Sequence, residues 1–518
     1  MTSHLSCTTL PSLTFRALAR HPDRTAFRSR GDHLTCRGAL RLIGAIQYVF
    51  AAEAIGRGHR IMILSANRYE SWCAGIAAQG LAAAVSWLHP RGSLDDHVGQ
   101  VLAIEPTTLV VDERTFGERG AELGRRFPEL RIFSIGRSEF ARGLIAEAEK
   151  HGEVRPTDVS SADDVATISF TGGTTGKSKG VVRTSRIVTQ MISAVLTEFE
   201  VPESPRYLAV APISHVTGTN IVPTLLRGGC VHLMDKFDPD EMLDILERER
   251  INFTLAVPTI IYAMLDHPRL EAHDLKSLET FLYGGSAMSP RRLEEAITRI
   301  GPVFSQLYGQ AECYPIAVLR RIDHDLDAPG IFEACGFPTT LTEVTLRTDE
   351  GSDAIPGESG EICVRSPIAM REYWRDPQQT GTALEGGWLH TGDIARRDDR
   401  GCLYIVDRKK DMIVSGGFNV YPREIEDVLS SHSSVRMSAV IGVPDSRWGE
   451  AVRAFVVLRK GVAPCAEELV ELVKTKKGGM SAPKVVEFVD DLPMTSVGKI
   501  DKRSLREPFW TNETRRVG

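Results

Sequence analysis

The chain predicts an α/β fold. A large N-terminal part of several subdomains, with layered sheets and a small β subdomain, precedes a smaller α+β C-terminal domain. Three observations carry this. Up to about residue 400, short apolar runs alternate with amphipathic helical stretches, as in RIMILSA from Arg60, TTLVVD from Thr107 and YLAVAP from Tyr207. Such alternation suits largely parallel sheets covered by helices. From about residue 335 the pattern shifts to short strands with turns, EVTLRT, GEICVRS and GCLYIVD. The charged run Asp407-Arg408-Lys409-Lys410-Asp411, by itself a solvated turn, then separates residues 1–407 from a last unit. That unit reads helix (PREIEDVLSSH), strands (MSAVIGVPD, AFVVLRK), helix (EELVELVKTK) and strand (KVVEFVD).

Composition bounds the function. At 518 residues the chain is too long for one core. Hydrophobic content of 42% with 25% charged residues is that of an ordinary globular protein. A net charge of −6 provides no overall attraction to nucleic acid or acidic membranes. Nine cysteines lie scattered from Cys7 to Cys465 without a CxxC pair or a His/Cys cluster, which predicts reduced thiols. The N-terminus has no basic segment followed by an apolar one, and apolar stretches such as GIAAQGLAAAVSWL are too short to span a membrane. The expectation is a cytoplasmic enzyme.

The most telling segment is VATISFTGGTTGKSKGVV, residues 165–182. Its β-branched start predicts a buried strand that opens into a loop of Gly, Thr and Lys. Gly172, Gly173, Gly176 and Gly180 allow close backbone approach to a ligand. Thr171, Thr174 and Thr175 add hydroxyls, and Lys177 and Lys179 add charge. Together they describe an anion site, polyphosphate above all; a ligand-free surface loop is the plain alternative. The pattern is not the common P-loop, since Thr171 stands where that motif needs glycine.

Further turns bear glycine or acid: FLYGGSAMSP (281–290) after a helical stretch, LYGQAE (307–312) after VFSQ, and WLHTGD (388–393) ahead of a strand. Singly each is a turn. In this order, with GCLYIVDRKK, SGGFNVYP (415–422) and PMTSVGKIDK, they resemble the adenylate-forming superfamily from HPDRTAF at His21 to Arg506. That superfamily comprises acyl-CoA synthetases, peptide-synthetase adenylation domains and beetle luciferases.

The resemblance implies ATP, Mg²⁺ and CoA as cofactors and assigns roles. Thr171, Gly172, Gly173, Thr174, Thr175, Gly176, Lys177 and Lys179 would grip the β- and γ-phosphates. Gly284, Gly285 and Ser286 would lie against adenine, Tyr308 of YGQAE would stack on adenine with Gly309 also at the nucleotide, and Glu312 would hold Mg²⁺. Asp393 would accept both ribose hydroxyls, as an acceptor-only carboxylate can, with Arg408 beside it; otherwise Asp393 is a turn cap. Lys499, in isolation a surface charge, would enter the site to meet the charge that develops at the α-phosphate. Lys410 in the 408–411 segment would be the hinge of a mobile C-terminal domain, residues 412–518, and Gly416 and Gly417 would line the thiol tunnel.

Departures from the family pattern are Gly172, Ser178, the Arg183-Thr184-Ser185 run, Ala311 where Thr is usual, and Val497. Around PISHVTG (212–218), His215 is either a pocket gate or a structural histidine. Thr217, Tyr283, Ala287, Cys313 and Tyr314 are the other pocket candidates. No aspartate is available near Ser214 to pair with an α-ammonium, which points to an aryl or medium-chain acid. VPDSRWGEAVRAFVVL (443–458) is closer to the acyl-CoA synthetases, which favours CoA over a separate carrier protein. Two other readings stay open: a ligase that passes the adenylate to an amine or activates an inorganic acid such as nitrite, and an inactive nucleotide-binding homologue.

Overall fold

The computed structural model describes residues 8–170, 179–348, 350–408, 411–415, 418–445, 448–463, 465–495 and 499–510. Strands of the large part fall into two extended sheets. The nine-stranded one has a parallel centre, Phe304–Gln310, Thr280–Gly284, Phe253–Ala256, Arg206–Ala209, Cys230–Leu233 and Thr25–Ser29, flanked by antiparallel edges. In the eight-stranded sheet, Val165–Phe170 runs parallel to Ala84–Trp87, which is followed by Arg60–Leu64, Thr108–Asp112 and Arg131–Ile135.

These central strands are apolar on both faces because helices cover both. Helices Leu10–Arg20, Cys36–Ala52, Tyr69–Gly80 and Ser185–Glu198 contribute to one core that also takes residues of both sheets, such as Ile61, Val85, Tyr207 and Val231. The helix starts are chemically marked. Thr9, Thr35 and Thr184 cap the first, second and fourth of these helices, and Ser93 forms a capping box with Asp96 ahead of Leu94–Ile104.

The expected β subdomain is a four-stranded antiparallel sheet of Glu343–Arg347, Gly360–Arg365, Leu389–Arg397 and Leu403–Arg408. The last unit pairs the long strands Val435–Asp445 and Gly449–Leu458 antiparallel, adds Val485–Phe488 in parallel, and packs helices Pro422–Ser430 and Ala466–Lys477 onto them through Ile425, Leu429, Leu469 and Val473.

Three segments differ from the sequence reading. FLYG is the end of strand Thr280–Gly284, LYGQ the end of strand Phe304–Gln310, and TGD lies inside strand Leu389–Arg397. All three strands break pattern at glycine, so propensity alone placed turns there. Among the described residues no helix is long and apolar enough to cross a membrane, and none of the eight cysteines there is in a disulfide.

Candidate active site

Strand ends and hairpin turns bring the candidate residues together. Phe170 and Gly180 are register partners of two adjacent antiparallel strands, so the loop between them is held at its base. Thr171, Gly172, Gly173, Thr174, Thr175, Gly176 and Lys177 lie outside the described residues, as do Lys410, Gly416 and Gly417. Lys179 is described: its Nζ sits 4.8 Å from the centroid of the Tyr373 ring.

At the next strand end, glycine is a steric requirement. A Cβ on Gly284 would lie 2.4 Å from the Leu307 carbonyl oxygen, and Gly285 has φ +80°. The chain then leaves the sheet, with Ser286 and Ala287 exposed. A Cβ on Gly285 would lie 3.9 Å from Lys499 Cε. The lysine of the last unit therefore stands directly over the Gly284-Gly285 turn.

Strands Phe304–Gln310 and Cys313–Leu319 form a hairpin whose turn holds Ala311 and Glu312, with an irregularity at Gly309. Tyr308 donates its hydroxyl to Asp393 Oδ2 at 2.7 Å. Asp393 and Arg408 are cross-strand partners, and Arg408 Nε lies 3.3 Å from Asp393 Oδ1. Asp393 is only 7% exposed, and its charge raises the pKa of Arg408. Burial, followed by this same carboxylate, pushes the Tyr308 phenol up as well. The result is a fixed Tyr–Asp–Arg set at the junction of the nine-stranded sheet and the β subdomain.

Glu312 is 8% exposed, and its Oε1 accepts the Tyr373 hydroxyl at 2.8 Å. A Mg²⁺ that arrives with its triphosphate asks for about one or two carboxylates from the protein, the remaining ligands being phosphate oxygens and water. Glu312 meets that demand, and among the described residues no group of three or more His, Cys, Asp or Glu forms a cage of its own.

His215 bonds Ser214 Oγ through Nδ1 at 2.8 Å and meets the His89 ring edge-on at 4.4 Å. Burial pushes its pKa down to about 4, with the Lys499 charge adding to the effect; burial takes His89 to about 3. Both rings are neutral at physiological pH. The other pocket candidates divide. Thr217 and Cys313 are fully buried and Tyr314 nearly so, while Ala287 is exposed.

Tyr283 departs from the expectation of a pocket wall. It is 0% exposed, packs with Phe281 and Phe304, and spends its hydroxyl on Gln306 Oε1 (3.0 Å) and His324 Nε2 (2.9 Å). Period-two alternation turns it to the core opposite Leu282. Residues the sequence did not single out for the site are His89 and Tyr373, which carry no motif, and Arg183, noted there only as a departure.

A glycine-lined turn, an Asp between Tyr and Arg, a buried Glu and a lysine brought in from the last unit thus gather at these strand ends and turns. Comparison with known proteins identifies the family. The AMP-binding enzyme family matches residues 14–374, and its AMP-binding enzyme C-terminal domain matches residues 424–499. The chain is 42% identical to the medium/long-chain-fatty-acid–CoA ligase FadD8 of Mycobacterium tuberculosis, over 97% of this chain and 90% of that one. It is 34% identical to a feruloyl-CoA synthase of Amycolatopsis, over 96% and 99%. Among solved structures it resembles the amide bond synthetase McbA of Marinactinospora thermotolerans, with TM-score 0.88 and 32% identity over 96% of this chain and 99% of that one. The chain belongs to the AMP-binding enzymes, the adenylate-forming superfamily.

Proposed function

We propose that the protein is an AMP-forming acid–thiol ligase that condenses an aryl or medium-chain carboxylic acid with ATP, releases pyrophosphate, and transfers the acyl group from the adenylate to CoA. The single observation that carries this is Lys499 standing over Gly285 beside His215. An ionised carboxylate is already a nucleophile, so no general base is required. What the step needs is positive charge where the five-coordinate phosphorus gathers negative charge, and Lys499 supplies it. Asp393 takes the ribose hydroxyls, with Tyr308 and Arg408 fixing its oxygens. Residues 171–179 hold the β- and γ-phosphates, and Glu312 holds Mg²⁺, which neutralises phosphate charge when bound.

The relatives named for fatty-acid and feruloyl substrates support a non-amino acid, and the absence of a carboxylate around Ser214-His215-Val216 agrees with them. The C-terminal unit, residues 412–518, would turn about 408–411, withdrawing Lys499 and presenting the 415–422 segment to the thiol. A cytoplasmic location fits such an enzyme.

The second reading, an adenylate passed to an amine, is favoured by the amide bond synthetase likeness. Pyrophosphate release with matched acids, such as phenylpropanoate and phenylalanine, each with CoA, with an amine and with neither, tests both. The expected result is turnover of phenylpropanoate to its CoA ester and little with phenylalanine, since burying an unpaired ammonium costs several kcal/mol. Amide as the main product would replace the thiol with an amine. Faster turnover of phenylalanine would overturn the pocket reading.

A further inference from the structure

Glu312 is held by more than its own hairpin. Met370 N–H donates to its carbonyl at 2.6 Å, and Tyr373 donates its hydroxyl to Oε1 at 2.8 Å. Tyr373 lies in the short strand Glu372–Tyr373, which is tied to the exit of the 171–179 loop. It pairs with Val181, Arg371 N–H reaches Val182 O at 2.9 Å, and Trp374 N–H reaches Gly180 O at 2.7 Å. The opposite face of the Tyr373 contact set is Lys179, over its ring. One phenol thus touches the carboxylate through its oxygen and the loop cation through its ring.

Arg183 approaches the same turn from strand Gly180–Thr184. It donates Nη1 to Ser169 Oγ at 3.1 Å and Nη2 to the Ala311 carbonyl, while its buried Nε has no partner among the described residues. The negative charge of Glu312 acts on it and favours its protonated form, against burial. A buried guanidinium costs several kcal/mol unless it is compensated. Here it holds by its carbonyl the residue, Ala311, whose side chain lacks the hydroxyl the family usually has.

We propose that Tyr373 and Arg183 are positioning residues for the metal–phosphate step. Tyr373 fixes the rotamer of Glu312 and its spacing from Lys179, and Arg183 fixes the backbone of the turn that carries Glu312. This rests on the reading of Glu312 as the protein's Mg²⁺ ligand. Neither side chain transfers a proton or touches the α-phosphate, so the effect belongs in metal affinity rather than in the rate at saturating metal.

The experiment uses the full chain. Mn²⁺ binding in the presence of a non-hydrolysable ATP analogue is read by electron paramagnetic resonance, and the Mg²⁺ dependence of pyrophosphate exchange is measured alongside. For Tyr373→Phe the Mn²⁺ dissociation constant and the half-saturating Mg²⁺ should both rise, by roughly tenfold, as loss of one hydrogen bond to a charged group implies. Raising Mg²⁺ should restore most of the exchange that is lost at low Mg²⁺. Arg183→Met should show the larger rise and Arg183→Lys should recover part of it, which separates positioning from misfolding. Glu312→Gln is the control. If that variant leaves Mn²⁺ affinity unchanged, the reading of Glu312 itself fails. If it weakens Mn²⁺ while Tyr373→Phe and Arg183→Met bind as the parent does, the present inference fails alone. A fall in saturated rate with unchanged Mn²⁺ affinity also overturns it.

Discussion

The two facing imidazoles, His89 and His215, show how far a single side chain is set by its surroundings. Each has an ordinary pKa near 6.5 in an unfolded chain. Burial lowers them to about 3 and about 4 in the folded protein. Between those values and 6.5 the unfolded chain binds more protons, so stability rises with pH over that window. The contribution is complete above about 6.5 and is lost as pH falls towards 4. Melting temperature should therefore drop from pH 7 to pH 5, and His89→Gln or His215→Gln should flatten that drop. An acid slope equal to the parent's in both variants would show that other groups carry it. At this scale the sequence was informative where a motif exists: Asp393, Arg408, Tyr308 and Lys499 stand close to one another or to the glycine turn. It could not reach Tyr373 or Arg183, placed where the edge strand Glu372–Tyr373 meets Gly180–Thr184, nor His89, placed by its facing His215, nor the inward face of Tyr283.

Elements explain why the site is built from turns. The nine-stranded sheet presents the ends of its parallel strands on one side, and ligands of open α/β sheets bind outside those carboxyl ends. Thr280–Gly284 ends there on a glycine pressed against its neighbour strand, because the Leu307 carbonyl occupies the space a side chain would need. Gly284→Ala must push the two strands apart. We expect a loss of about 1–3 kcal/mol of stability, in the range of an overpacked core, together with weaker binding of AMP. Unchanged melting temperature and AMP affinity, measured by calorimetry, would mean that the turn relaxes freely. The strand Val165–Phe170 and the glycine loop after it were legible as a strand and a ligand loop, because β-branched content and glycine density are local properties. The β-strand nature of FLYG and TGD was not legible: Gly284 is held by its cross-strand partner Leu307, and TGD lies at an irregularity of the sheet where Gly392 takes φ +70° and Asp393 pairs with Arg408.

At the scale of the whole molecule, the last unit meets the large part along a polar seam. Arg291 Nη1 donates to the Ser431 carbonyl at 3.2 Å, Arg396 lies 3.9 Å from Glu424, and Arg423 N–H reaches Asp407 Oδ2 at 3.0 Å. The seam also encloses a cavity of about 370 Å³ that includes Arg291, Arg423, Asp427 and Lys476 and none of the nucleotide-site candidates. A seam built of such polar contacts costs little to break, which suits the proposed departure of this unit once the adenylate has formed. Exposed ion pairs contribute about 0–1 kcal/mol each. Arg291→Ala with Arg396→Ala should then shift the balance between orientations by about 1 kcal/mol, roughly fivefold in population. The orientation that places Lys499 over Gly285 is the one that loses. Adenylation, followed as pyrophosphate release, should fall several-fold, while thiolation of a supplied acyl-adenylate holds or rises. Lys499→Ala should lower adenylation much further, by about 10²–10³, and likewise spare thiolation. An equal fall of both half-reactions in the arginine variant would mean that the seam stabilises the fold as a whole, and that domain orientation is governed elsewhere.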